Sequence, residues 1–220
     1  PFTPGFPEIK WSADTVAWKI DTELNKNPDD GWWRRRKIIT YSDQAMDGVQ
    51  FDYLSISDKQ RKWLRHDPEL LAFIRGDRSL EGVRFRKRSS YYGDFRHSTP
   101  VSYSSILLSG ANDGMLHVFD EHSGHEYFSY IPNLLYSKWH SETSITGRSM
   151  EKMALLGDTN YQENHQFYVD GQLAVEYLED SVTTLAVGSL GRGGFGIYAL
   201  NLFGIREMDD IEAQAADIVM

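Results

Sequence analysis

Residues 105–132 read SILLSGANDGMLHVFDEHSGHEYFSYIP and contain three apolar runs separated by two turns. Asp113-Gly114 in the first turn is a strong hairpin signal, because a tight primed turn needs a positive φ, which glycine adopts at little cost. In the second run, residues 115–119, successive side chains alternate between the two faces of a strand. Residues 120–124 then turn the chain into a third run. These patterns predict a small antiparallel meander.

The same arrangement recurs at residues 183–202, TTLAVGSLGRGGFGIYALNL, where one apolar run enters a glycine-rich loop and another leaves it. Residues 166–169 and 173–178 flank Asp170-Gly171 and are predicted to pair as a further hairpin. The turn residues predicted from these patterns are Asn112, Asp113, Gly114, Asp170, Gly171, Gly191, Gly193 and Gly194.

The composition is that of a folded globular chain. It has 220 residues, of which 40% are hydrophobic, enough for one sizeable core. A formal charge of -9 disfavours binding to nucleic acid or anionic membranes, which depends on basic surface. No apolar run approaches the roughly 20 residues of a membrane-spanning helix. The absence of cysteine excludes disulfides and thiolate metal sites. The first residues show no secretion signal, and we expect the chain to be part of a longer protein.

Local patterns predict further strands and packing positions. Residues 15–20 are expected to form an edge strand, and residues 37–41 a strand rich in β-branched side chains. Trp32-Trp33 is interpreted as a pair of packing anchors, with an aromatic platform for a ligand as the alternative. The basic clusters at residues 34–37 and 84–88 are interpreted as solvated or ion-paired, with partner docking as the alternative.

Short helices are predicted from capping and spacing. In residues 57–75, Ser57 caps a first helix and Asp67 caps a second, with Pro68 at its first position. Further helices are expected after Pro132, after Ser149 and over residues 207–220, where apolar side chains form one stripe: Met208, Ile211, Ala215 and Ile218.

Many short strands with glycine turns and a few helices favour an all-β repeat architecture, best explained by a β-propeller. A four-stranded blade takes about 40 to 45 residues, so the chain would supply only part of a ring. We therefore predict one domain over residues 1–220, a propeller fragment in which residues 203–220 begin a further element.

Four blocks of sequence resemble a known family in their order along the chain. The chain is similar, over residues 32–202, to the C-terminal β-propeller region of the PilY/PilC family of type IV pilus biogenesis factors and tip-associated adhesins. The blocks are FIRGD at residues 73–77; Arg86 with YGDFRHSTPV at 92–101; GANDGMLHVFD at 110–120 continuing to YIP at 130–132; and FYVDG at 167–171 followed by residues 188–202.

The resemblance implies a partial, modified quinoprotein-like β-propeller with short inserted helices and no enzymatic activity. It also implies export to the bacterial surface or pilus tip, where such proteins act with minor pilins in pilus assembly, adhesion to host cells and twitching motility. Family members carry an Asp-rich calcium loop of the DxDxDxxxD type. This spacing is absent from the sequence. We therefore expect no metal or cofactor within this chain, and calcium only in the full-length protein.

Arg75-Gly76-Asp77 matches an integrin-type adhesive tripeptide. The favoured interpretation is structural: the helix stops at Gly76, and Arg75 and Asp77 hold the following loop by hydrogen bonds. The adhesive interpretation remains the alternative.

No catalytic or metal site is predicted. The histidines show no i, i+4 pair with a third ligand nearby, and a weak metal site at His122 and His125 is the less favoured reading. The glycine-rich loop at residues 188–196 precedes a strand, so no helix N-terminus would face a phosphate. Two alternatives stay open. One is a quinone-dependent dehydrogenase propeller, although Phe128 stands where its docking motif has Trp, and the other is a scaffold unrelated to pili.

Overall fold

The computed structural model describes residues 11–24, 31–139, 150–179 and 182–220. Five α-helices are present in these residues: α1 Ala13–Leu24, α2 Trp32–Arg35, α3 Asp58–Trp63, α4 Pro68–Arg75 and α5 Ala215–Ile218. The strands are β1 Ile38–Ser42, β2 Asp47–Gln50, β3 Val101–Tyr103, β4 Ile106–Gly110, β5 Leu116–Asp120, β6 Glu126–Ile131, β7 Lys138–Trp139, β8 Met150–Glu151, β9 Leu173–Leu178, β10 Thr183–Ser189 and β11 Ile197–Asn201. None of the described helices has the length and apolar character needed to cross a membrane.

The predicted meander is confirmed and forms the first blade. Strands β3, β4, β5 and β6 follow one another across a sheet as antiparallel neighbours. Asp120 closes the β5–β6 turn by accepting hydrogen bonds from the backbone N–H of His122 and Ser123, and Gly124 has a φ of +72°. Four consecutive antiparallel strands are the unit of a propeller blade.

The β4–β5 connection is longer than the tight two-residue turn expected from the sequence. Ala111 N–H bonds to the Met115 carbonyl at 2.9 Å, so Asn112, Asp113 and Gly114 form a three-residue loop. Only Gly114 has a positive φ, +93°. This pattern is that of a loop closed by one left-handed glycine, whereas a type I′ turn requires two positive φ angles.

Two strands extend this blade in a way that the sequence did not predict. β1 joins the free edge of β6 in parallel, with Ile38 opposite Ser129, and β2 pairs antiparallel with β1. No local sequence pattern indicated this pairing, because about 90 residues separate Ile38 from Ser129. The first sheet therefore has six strands, in the order β2-β1-β6-β5-β4-β3.

The second sheet contains β9, β10 and β11 as an antiparallel meander. Val219 forms an isolated antiparallel bridge with Leu200 on β11. The two sheets share one core, in which the Tyr130 and Tyr198 rings lie 5.6 Å apart.

The predicted hairpin at Asp170-Gly171 is wrong. Residues 166–169 are not a strand, and β9 pairs with β10 instead. This segment binds the loop of the first blade, where Tyr168 N–H donates to Asn112 Oδ1 at 3.0 Å. A Cβ at Gly171 would lie 2.1 Å from Ser189 Oγ. Glycine is therefore needed here for close packing rather than for a turn.

The strand expected at residues 15–20 is also wrong, because the region forms helix α1. Ser12 Oγ accepts a hydrogen bond from Thr15 N–H and caps the first turn. The helix buries Ala17 against the outer face of the first blade, in a cluster with Trp32, Tyr92 and Phe119. Tertiary packing on this aromatic cluster overrides the β propensity of the local sequence.

The helices predicted at residues 57–75 are confirmed. Ser57 and Gln60 form a reciprocal capping box at α3, and Asp67 accepts from the N–H groups of Glu69 and Leu70 at α4. Pro68 occupies the first position of α4, as expected.

The other predicted helices are shorter than expected or of the 3₁₀ type. Residues Asn133–Leu135 and Lys152–Gly157 are 3₁₀ helices, and Ser149 lies outside the described residues. In the C-terminal segment only Ala215–Ile218 is α-helical. Its predicted apolar stripe is nevertheless packed in the core, with Ile211 and Ile218 buried.

Candidate functional site: a buried charge network and an exposed loop

A network of charged side chains lies beneath the loop of the first blade. His117 is on β5, Glu126 and Ser129 are on β6, and Asp113 belongs to the loop. Arg36 enters from the connection between α2 and β1. Since side chains alternate along β5, His117 lies on the opposite face from Leu116 and Val118, which are in the main core.

Arg36 and Glu126 form a two-pronged ion pair. The Nε and Nη2 atoms of Arg36 donate to the two carboxylate oxygens of Glu126 at 2.8 and 2.9 Å. Only 2% of the Arg36 side chain and 6% of the Glu126 side chain are exposed. Arg36 Nη1 also donates to the Arg75 carbonyl at 2.9 Å. Such bidentate pairing satisfies both charges where little solvent is available to do so.

His117 connects the ion pair to the loop. Its Nδ1 lies 2.8 Å from Glu126 Oε1, and its Nε2 lies 3.1 Å from Asp113 Oδ1. Asp113 also accepts from Gly93 N–H at 2.9 Å. Because ionised carboxylates only accept hydrogen bonds, both ring nitrogens must donate for both contacts to form. This geometry calls for the protonated imidazolium.

The pKa shifts of these groups agree with that charge state. Burial by itself would lower the pKa of His117, but Asp113 and Glu126 outweigh it and raise the pKa above its usual value. Burial would likewise raise the pKa of Glu126, but Arg36 and His117 outweigh it and lower that pKa. For Asp113, burial is outweighed chiefly by His117, and its pKa is also lowered. The shifts therefore favour the charged form of all three groups.

The order Asp113, His117, Ser129 has a superficial likeness to a catalytic triad. Ser129 Oγ lies 2.9 Å from His117 Nδ1, but it donates its own hydrogen bond to Glu126. Ser129 and His117 are both completely buried. A nucleophile must reach its substrate, so the arrangement is structural and holds β5, β6 and the loop in register.

Arg75 of the Arg75-Gly76-Asp77 tripeptide belongs to a second part of the buried network. Its guanidinium donates to the carbonyl oxygens of Phe51 and Arg36 at 2.6 and 2.7 Å, and lies 3.5 Å from Glu212. Burial lowers the pKa of Arg75, and Glu212 only partly offsets this effect. Burial similarly raises the pKa of Glu212. Arg75 therefore joins α4, the segment before β1 and the C-terminal segment.

The other two residues of the tripeptide form the end of α4. Gly76 has a φ of +125°, and its N–H bonds to the Ala72 and Phe73 carbonyls. Asp77 Oδ1 accepts from Ser79 N–H at 2.9 Å. Gly76 and Asp77 therefore have the contacts that the structural interpretation expected, whereas Arg75 binds Phe51, Arg36 and Glu212 instead of the loop that follows the helix.

The predicted glycine loop of the second sheet holds an exposed aromatic residue. Residues Gly191–Gly193 form a 3₁₀ turn, and the loop leads into strand β11, as the sequence predicted. A Cβ at Gly193 would collide with the Tyr168 carbonyl, so this part of the loop is tightly packed. Phe195 stands between Gly194 and Gly196, which both have positive φ, and is completely exposed.

An apolar surface surrounds Phe195. Ile197 on β11 is 73% exposed, and Leu134 packs so close to Gly196 that a Cβ there would lie 2.6 Å from Leu134 Cδ1. We call Leu134, Phe195 and Ile197 the loop surface. All three side chains are exposed on or beside this loop, and clusters of exposed apolar groups are common at sites of protein association.

The described histidines do not form a metal site. In the described ranges, no group of three or more His, Asp or Glu side chains is arranged to hold an ion. His97 pairs with Asp170 at 2.7 Å, whereas His140 lies outside those ranges. His122 and His125 are in the β5–β6 turn, where their backbone N–H groups bond to Asp120 and Ser123.

Sequence reasoning missed Arg36, Glu126 and Glu212 as members of one network. Arg36 and Glu126 are 90 residues apart along the chain, and Glu212 lies 174 residues from its partner Ile38. One local signal was present: His117 and Ser129 interrupt otherwise apolar strands, which indicates buried polar partners.

Two successive sheets built on antiparallel meanders, with glycine-rich loops between their strands, are the arrangement expected of consecutive propeller blades. A family model described as the PilY1 beta-propeller domain matches residues 85–216. The chain belongs to this family.

Curated relatives give the same result. Over 236 residues, the chain is 30% identical to the type IV pilus biogenesis factor PilY1 of Pseudomonas aeruginosa strain PAK, covering 88% of this chain. It is 27% identical over 232 residues to a PilY1 homolog of Xylella fastidiosa strain Temecula1, covering 87% of this chain. The chain spans only 19% and 17% of the lengths of these relatives. No solved structure is significantly similar to it.

Proposed function

We propose that this chain is the propeller part of a type IV pilus biogenesis factor and that it acts as a non-enzymatic docking module. Its place of action is the bacterial surface or pilus tip. There it works with minor pilins in pilus assembly, and through the assembled pilus in adhesion and twitching motility. The observation that carries this proposal is membership of the PilY1 propeller family over residues 85–216.

The geometry supports a docking role. Buried ion pairs fix the first blade, while the loop surface of Leu134, Phe195 and Ile197 presents apolar side chains. A rigid sheet with exposed loops is a common scaffold for recognition. We assign the loop surface as the contact for a pilin-like subunit. Calcium binding in the full-length protein remains a prediction from the resemblance.

Deletion of the parent gene tests the proposal. We expect fewer surface pili by electron microscopy and smaller twitching zones, both restored by the wild-type gene on a plasmid. Unchanged piliation and motility in the deletion strain would overturn the pilus assignment. If the plasmid restored piliation but not adhesion in the deletion strain, the role of the protein would be limited to pilus assembly.

A further inference from the structure

A cleft of about 260 Å³ lies beside the first blade. Among its lining residues are Arg86, Ser89, Tyr91, Asp94, Leu156 and Tyr161. We propose that this cleft binds an acidic side chain of a partner polypeptide, with Arg86 as the group that receives its carboxylate. This proposal is independent of the pilus assignment.

Arg86 is held in place while the outer edge of its guanidinium stays open. Its Nε donates to the Leu156 carbonyl at 2.7 Å, and its guanidinium lies 3.8 Å from the centre of the Tyr161 ring. Within the described parts of the chain, neither terminal nitrogen of Arg86 has a hydrogen-bond or ion-pair partner. A stacked guanidinium with a free edge is preorganised for two-pronged binding of a carboxylate.

The neighbouring Arg88 differs from Arg86 in that its guanidinium is fully paired. Its Nε donates to Glu81 at 2.6 Å, and its terminal nitrogens donate to the Phe73 and Asp77 carbonyls at 2.8 and 2.6 Å. All of its nitrogens therefore have partners in the fold. Arg86 is the cationic group in the cleft that keeps donors for a ligand.

The aromatic residues of the cleft disfavour a sugar as the ligand. Carbohydrate sites commonly offer an open aromatic face on which a sugar ring can stack. Here an arginine lies over one face of each ring: Arg86 over Tyr161, Arg78 over Tyr91, Arg88 over Phe73 and Arg36 over Tyr92. One face of each of these rings is therefore already occupied by a guanidinium.

The carboxylate of Asp94 limits which kind of anion can bind in the cleft. Its side chain is 55% exposed, and one of its oxygens accepts from Asn112 Nδ2 at 2.9 Å. Asp94 and Asp113 both line the cleft and repel a doubly charged phosphate more strongly than a singly charged carboxylate, and Asp94 can also accept a hydrogen bond from an N–H group. A glutamate or aspartate residue offers one negative charge together with a backbone N–H. The volume of the cleft suits a single side chain with its peptide unit.

The test is a titration of the full 220-residue chain followed by amide NMR. The probes are acetyl-Gly-Glu-Gly-amide, its Gln counterpart and free glutarate. We expect saturable shifts at residues 89–94 and 161 with the Glu peptide, at a Kd on the order of 1 mM. The Gln peptide should bind at least tenfold more weakly, and glutarate should bind more weakly than the Glu peptide.

Two variants assign the binding to Arg86. Arg86→Gln should weaken binding of the Glu peptide at least tenfold, whereas Arg84→Gln should leave it unchanged, because Arg84 lies in the same basic run but is paired with Asp67 and Glu69. If Arg86→Gln does not fold, Arg86→Lys is the second variant. It keeps the positive charge but loses the paired N–H donors of the guanidinium, and it should weaken binding several-fold. Equal binding of the Glu and Gln peptides, or undiminished binding by a folded Arg86 variant, would overturn the proposal. Glutarate binding as tight as that of the Glu peptide would contradict the inference that the bound carboxylate belongs to a polypeptide.

Discussion

The Arg36 guanidinium and the Glu126 carboxylate are joined by two hydrogen bonds of 2.8 and 2.9 Å, across 90 residues of sequence and almost completely out of solvent. This pair attaches the segment before β1 to the last strand of the first blade. Because each charge is compensated only by its partner and the nearby network, removing one would leave the other buried and unpaired.

Glu126→Gln tests the importance of this pair. The amide keeps the size of the side chain but removes the charge that balances Arg36 and His117. We expect the free energy of unfolding, measured by urea denaturation, to fall by about 3–5 kcal/mol.

Lys59→Gln is the matched control, because Lys59 pairs with Asp43 on the surface. Exposed pairs contribute roughly 0–1 kcal/mol, so the change should be small. A similar loss in both variants would show that the buried pair has no special role.

The protonation of His117 should make stability depend on pH. Its partners are Asp113 from the loop, Glu126 from β6 and Arg36 behind Glu126, and Tyr92 packs at its edge. The raised pKa means that the native state keeps a proton that the unfolded state releases near pH 6.5. Stability from this group is therefore complete below pH 6.5 and is lost as pH rises through the higher native pKa.

The measurement is the urea midpoint between pH 6 and pH 8, compared with that of His117→Gln. We expect the wild-type midpoint to fall as pH rises, while the variant, although less stable at pH 6, changes much less. Parallel curves for the two proteins would contradict the imidazolium assignment.

Lys152 should make the stability of the fold rise with pH at higher pH, whereas His117 makes it fall. It is buried with its ammonium against the Gly193 carbonyl, and burial lowers its pKa to about 8. Between pH 8 and the unfolded value near 10.5, the unfolded state binds more protons, so Lys152 adds stability as pH rises. Relative to Lys152→Met, the wild type should gain stability over this range by thermal unfolding. A constant difference between the two proteins would show that Lys152 keeps its ordinary pKa.

The Arg75-Gly76-Asp77 tripeptide can be tested by comparing its two charged residues. Arg75→Lys loses the two guanidinium nitrogens that donate to the Phe51 and Arg36 carbonyls, and it should lower the free energy of unfolding by about 2–4 kcal/mol. Asp77→Ala loses one hydrogen bond to Ser79 N–H and should cost about 1 kcal/mol. Both effects are measured by urea denaturation.

Host-cell attachment distinguishes the structural role of the tripeptide from an adhesive one. If the tripeptide is structural, attachment per folded molecule should stay the same in the Asp77→Ala variant. Selective loss of attachment by a stably folded Asp77→Ala protein would instead support the adhesive alternative.

The sequence predicted those parts of the fold that local chemistry controls. The meander of β4, β5 and β6 follows from glycine turns and alternating apolar residues, and α3 and α4 follow from their caps at Ser57 and Asp67. The class of fold was predicted for the same reason, because a propeller repeats one local unit.

The failures have a common physical cause, which is tertiary contact between distant segments. Helix α1 packs on the Phe119 cluster, and the segment before Asp170 binds the Asn112 loop instead of pairing with β9. The network of Arg36 and Glu126 depends on the unpredicted parallel pairing of β1 with β6. A single sequence carries no signal of such contacts.

The docking role of the loop surface is tested most directly by counting surface pili on a deletion strain complemented with the full-length parent gene carrying Phe195→Asp. Phe195 is completely exposed, so the change should leave the stability of the fold unaltered while placing a charge in the loop surface. We predict fewer pili than with the wild-type gene at equal protein level. Wild-type piliation by a Phe195→Asp, Ile197→Asp double variant of normal stability would contradict the docking role of this surface.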